Sequence, residues 1–188
     1  MSPFEYVIVL ISIILGLGIT TILTGLAEII KHGRLSGIYA PHAIWIVLVF
    51  ILHVHEWWEN YSLKSVTAWK LPMFLFILLY PINLYILAHL LFPSEMKSGV
   101  SSKEFYLANF PRLFMSAIIL DVLSVIHNLT FLGLPFSEQV PHFAVLAILV
   151  GGIISKSKSI WLHTAIALLL LLTLITVIII TQEVFLVN

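Results

Sequence analysis

The chain has 188 residues, 61% of them hydrophobic and 10% charged, with no net formal charge, pI ≈ 7.1 and a mean hydropathy of +1.12. Soluble domains carry about a quarter charged residues, so this is the composition of an integral membrane protein whose first partner is the lipid bilayer. A neutral chain has no basic field to attract nucleic acid, and the absence of cysteine excludes disulfides, thiolate metal centres, iron–sulfur clusters and thiol nucleophiles together.

Met1 to Tyr6 contain Glu5 but no Lys or Arg. They lack the cationic start of a cleaved signal peptide, so the first span is expected to be retained. About 20 apolar residues cross a ~30 Å hydrocarbon layer, and on that measure six helices are predicted, at 5–30, 41–61, 71–92, 110–133, 139–155 and 160–184. The fold class is an all-α polytopic helix bundle, a single transmembrane domain over 1–188 with no soluble domain. The longest loop, Pro93 to Ala108, is too short to fold alone.

In the first span Ser12 with Gly16, and Thr21 with Gly25, are four residues apart and share a face suited to close helix approach, within the chain or between subunits of a homo-oligomer. The opening stretch, from Phe4-Glu5-Tyr6-Val7 through Leu15-Gly16-Leu17-Gly18-Ile19-Thr20, resembles the start of uncharacterised small multi-pass proteins of bacterial inner membranes. That resemblance covers about the first thirty residues; it implies a bacterial inner membrane and no activity. In the third span Pro81 and Asn83 interrupt the apolar run, and a kink is expected there. The fifth span is short, with Gly151-Gly152 near its end, and is expected to be little tilted or partly re-entrant.

Lys and Arg are retained on the cytoplasmic side. With the N-terminus outside, the inner loops hold Lys31, Arg34, Lys97, Lys103, Arg112, Lys156 and Lys158, against Lys64 and Lys70 outside. Both termini are therefore expected outside. The outer half then receives Glu5, His53, His55, Glu56, Glu59, His127, Glu138, His142 and Glu183, with Asn60 and Asn128 beside them. Glu28, His32, His42, His89, Glu95, Glu104 and His163 fall on the inner side.

Ionisable groups are expensive at membrane depth and are functional candidates by default. His53, Glu56, Trp57 and Asn60 form one helical face, while His55, Trp58 and Glu59 form another, and only one of the two is expected to line a cavity. Asp121, Ser124 and Asn128 make a polar stripe at i, i+3 and i+7 in the fourth span, with Asp121 deepest and His127 displaced around the helix. The aromatic group Trp57, Trp58, Tyr61 and Trp69 fits an interfacial belt. His142, after Pro141 at a helix start, reads most simply as a solvated terminal residue, and His32, His42 and His163 as interfacial ones.

Three chemistries suit this set. A ladder of His53 and Glu56, then Asp121, then His89 or Glu28 could bind or conduct a cation such as a proton. His53 and Glu56, completed by His127 or His142, could hold a divalent metal for an enzyme. The pairs His53 with His127, and His89 with His163, could ligate haem b in an electron carrier. A structural or sensory subunit is the remaining class. The principal residues are His53, Glu56, Asp121 and His127; His55, Glu59, Asn60, Asn128 and His142 support them, and Glu28, His89 and His163 are the inner candidates.

Overall fold

In the computed structural model, residues 3–31, 37–66, 68–93 and 101–180 are described. His32, Arg34, Glu95, Lys97 and Glu183 lie outside them. The described residues form six helices long and apolar enough to cross a membrane and no strand. They are α1 Pro3–Lys31, α2 Ala40–Glu59, α3 Leu71–Leu90, α4 Ser102–Thr130, α5 Val140–Ser155 and α6 Ile160–Ile180. Short 3-10 turns, Asn60–Ser65 and Phe136–Gln139, follow α2 and precede α5.

The helices close a ring in the order α1, α3, α4, α5, α6, α2, with α2 also reaching α3 and α4 across it. α5 and α6 make the lightest contact around the ring. The core follows a heptad-like stripe on α1, Val7, Ile11, Leu15, Gly18, Ile22 and Ile29, which lies mainly on α3. Large side chains such as Trp45, Phe114, Leu84 and Leu87 fill the centre.

Helix limits depart from the predicted ones where charge or proline interrupts the hydropathy. α4 begins at Ser102, eight residues before the predicted start, because Ser101 and Glu104 make a capping box: Glu104 N–H donates to Ser101 Oγ at 3.2 Å, and Ser101 N–H to Glu104 Oε2 at 3.1 Å. α4 then runs through Pro111, and α3 runs through Pro81. Membrane helices tolerate proline where neighbours supply compensating contacts. Beyond Pro81, Asn83 and Ser116 clamp α3 to α4 reciprocally: Asn83 Nδ2 donates to the Ser116 carbonyl at 2.8 Å and Ser116 Oγ to Asn83 Oδ1 at 3.1 Å.

α5 is one continuous helix through Gly151 and Gly152. Its glycine serves packing: a Cβ on Gly152 would lie 2.7 Å from Phe114 Cε2 of α4. On α1 the close approaches are likewise not at the predicted Ser12–Gly16 pair. A Cβ on Gly18 would overlap the His53 ring and one on Gly25 would overlap Phe92, whereas one on Gly16 would meet nothing within 4 Å. Helical spacing defines a face but not which neighbour it meets.

At the end where α2 starts, His42 ties three segments together. Its Nε2–H donates to the Leu91 carbonyl at 2.7 Å, its Nδ1 lies 2.9 Å from Ser102 Oγ, and Tyr39 N–H donates to the same hydroxyl at 3.1 Å. His42 and His163 are thus core residues, 4% and 1% exposed, rather than the interfacial histidines expected.

Gly152→Ala should lower stability by about 1–3 kcal/mol through the forced shift of Phe114, while Gly16→Ala should be neutral or gain ~0.5–1 kcal/mol from helix propensity. Equilibrium unfolding of the two variants in mixed micelles checks the contrast.

Candidate functional site

Asp121, Ser124 and Asn128 recur at helical spacing on α4, and the neighbouring helices complete a polar recess around them. α2 contributes its last turn, α3 contributes Tyr80, and α5 contributes its first turn. Two adjoining cavities result. The upper one, about 380 Å³, is lined by His55, Glu56, Glu59, Asn60, His127, Asn128 and His142 among others. The lower one, about 240 Å³, has Asp121 and His142 on its wall and is otherwise chiefly aliphatic. His55, Tyr80, Ser124 and His142 border both.

The centre of this recess is the pair that joins α4 to α5. His142 Nδ1–H donates to Asp121 Oδ1 at 2.8 Å. Asp121 is 12% exposed at its side chain, and its Oδ2 is buried with no hydrogen-bond partner. The carboxylate sets the imidazole tautomer, leaving Nε2 as the acceptor in the neutral ring. Asn128 Nδ2 lies 3.4 Å from that Nε2 and donates to Gln139 Oε1 at 3.1 Å. Gln139 is fully buried and donates in turn to the Pro135 carbonyl at 3.5 Å. His142 is therefore a member of the central pair rather than a solvated terminus.

The last turn of α2 supplies the other carboxylates. Asn60 Nδ2 donates to Glu56 Oε1 at 3.0 Å and to the Glu56 carbonyl at 2.6 Å. His55 Nε2 lies 3.6 Å from Glu59 Oε1, an ion-pair distance when the ring is protonated. Tyr80 borders both cavities from α3, and Ser124 Oγ donates to the Leu120 carbonyl at 3.2 Å. His127 lines the upper cavity with its ring 5.4 Å from that of Phe131.

Residues of both predicted α2 faces line this recess: His55 and Glu59 with Glu56 and Asn60. His53 does not. It is fully buried against Gly18 of α1, its Nδ1–H donates to the Val49 carbonyl at 2.7 Å, and its Nε2 has no hydrogen-bond partner. The ligand set of His53 and Glu56 with His127 or His142 is thus not assembled, and among the described residues no three His, Asp or Glu side chains are placed to share a metal ion.

The inner candidates are also divided. Glu28 and His89 line a cavity of about 770 Å³ at the opposite end, between α1, α3 and α4. His163 instead sits in the core against Phe110, ring centroids 4.6 Å apart. Both its nitrogens are engaged: Tyr106 O–H lies 3.1 Å from Nδ1, and Nε2–H donates to the Ser157 carbonyl at 2.8 Å. Neither haem pair is available, since His53 faces α1 and His163 has no nitrogen left for iron. No family model, curated protein or solved structure matches this chain.

Gln139 carried no local signal in the sequence, because its burial depends on Asn128 of another helix. Gln139→Ala should cost about 1–3 kcal/mol by leaving Asn128 short of an acceptor, and Gln139→Glu should recover little of it, because its carboxylate would be fully buried and would lose the donor to the Pro135 carbonyl. Thermal unfolding, read with the His142 ring resonances, distinguishes these outcomes.

Proposed function

We propose that this protein is a membrane-embedded cation-binding protein, the cation including the proton, whose site is the Asp121–His142 pair and the Glu56, Glu59 and His55 groups above it. The observation that carries this reading is the free, buried Oδ2 of Asp121. A carboxylate oxygen held inside a bundle without a donor is stabilised by a proton or a cation. The surroundings favour the same charge sign: three carboxylates and three imidazoles line the two cavities, and neither is lined by Lys or Arg.

Binding is favoured over free conduction. Between the recess and the opposite end lie the Trp45–Phe114 contact, ring centroids 5.5 Å apart, the Phe110–Phe114 contact at 5.5 Å and the Asn83–Ser116 clamp. Within that layer the Asn83 and Ser116 groups are bonded to each other. The recess opens outward on this reading, because among the described residues Lys31, Lys103, Arg112, Lys156 and Lys158 occupy the other end of the helices and only Lys64 and Lys70 this one. A bacterial inner membrane and a homo-oligomer complete the proposal, the latter supported by the open face at Gly16.

Proton release from lightly buffered, nanodisc-embedded protein tests the site. Sodium, potassium and methylammonium chloride are added in turn to wild type, Asp121→Asn and Glu28→Gln. At least one cation should displace protons from wild type and from Glu28→Gln, with the release lost in Asp121→Asn. Silence of the wild type towards all three, or equal release from Asp121→Asn, refutes the assignment. Vesicles carrying the protein should show no more cation flux than empty ones, and flux abolished by Asp121→Asn would turn the reading from binding to conduction.

A further inference from the structure

The lower cavity narrows the chemistry of what is bound. Building on the cation-binding reading, we propose that the physiological ligand is a small amphiphilic amine, an ammonium group carried on a short alkyl chain or a single aromatic ring. The head would sit at Asp121 and the apolar body below it.

Three features favour such an occupant. The cavity descends from the Asp121–His142 pair to Trp45 between α2, α4, α5 and α6, and its wall below that pair is made of residues such as Leu48, Leu120, Leu149 and Leu170. A hydrated inorganic ion gains nothing from an aliphatic wall, whereas an apolar body leaving water gains about 25 cal/mol per Å². An ammonium also needs few acceptors. Asp121 Oδ2 is one without a partner, and no triad of His, Asp or Glu among the described residues is arranged for a bare metal ion.

The second feature is charge. Neither cavity is lined by Lys or Arg, so an acidic amphiphile would meet three carboxylates and no fixed counter-charge. The third is access. The cavity reaches the α5–α6 seam, the lightest contact in the ring, where Pro141 and Val177 are exposed. That seam lies at the end of α5 nearest the upper cavity, so a molecule dissolved at the lipid–water boundary reaches the site with its charged end still hydrated.

Calorimetric titration of the nanodisc-embedded protein, with empty discs subtracted, tests this with four probes: n-octylammonium, n-octanol, methylammonium and octanoate. Octylammonium should bind at least about tenfold more tightly than each of the other three. Asp121→Asn should weaken it by about tenfold or more. Ala117→Phe, which fills the lower cavity, should weaken octylammonium similarly and leave cation-driven proton release intact; Val145→Phe serves the same purpose should the first variant not fold. Octylammonium binding no tighter than methylammonium, or undiminished in a folded cavity-filling variant, overturns the proposal while proton release still supports the cation site. Loss of cation-driven proton release in wild type overturns the site itself.

Discussion

The hydrogen bond between Asp121 and His142 is the constraint on which this end of the bundle depends. A carboxylate at depth in lipid is tolerable only inside the ring and only with partners, so α4 must turn this face inward and α5 must bring its first turn against it. The consequences spread outward. Phe136–Gln139 forms a 3-10 turn that drops Gln139 into the core, Gln139 receives Asn128, and Asn128 steadies the far side of the His142 ring.

At the opposite end the two buried histidines are saturated instead. His42 uses both nitrogens, on the Leu91 carbonyl and the Ser102 hydroxyl, and His163 uses both, on Tyr106 and the Ser157 carbonyl. Each of these rings joins segments distant in the chain and none retains an unbonded nitrogen. The difference between the two ends is therefore one of satisfaction rather than of residue type. His42 and His163 are structural with their partners complete, His53 is held on its unbonded side by packing against Gly18, and His142 is a candidate for chemistry because its neighbour Asp121 keeps an oxygen without a hydrogen-bond partner.

How much of this could be read from the residues follows the range of the forces involved. The six apolar spans are local, and their number and order were legible. The inward stripe of Asp121, Ser124 and Asn128 could also be drawn, because helical periodicity is local too. The start of α4 escaped hydropathy because Lys103, Glu104 and Arg112 dilute it, although Ser101 and Glu104 stand at capping-box spacing. What periodicity cannot supply is the identity of the helix across the gap. His53 and Glu56 are three residues apart, yet His53 meets Gly18 of α1 and Glu56 meets the cavity. His142 appeared solvated because only α4 removes it from water.

The ring order accounts for that divergence. Because α1 lies on α3 as well as on α2, one flank of α2 is covered by α1, and Gly18 lets the His53 ring sit directly on its backbone. The opposite flank of α2 is left to α6, its neighbour in the ring, and to α4 across the interior. A polar residue on the first flank can only be packed, and one on the second can be reached by a ligand. At about 100° per residue Glu56 stands about 60° and His55 about 160° round the helix from His53 in the same sense, and that rotation separates a buried structural imidazole from one at the wall of a site.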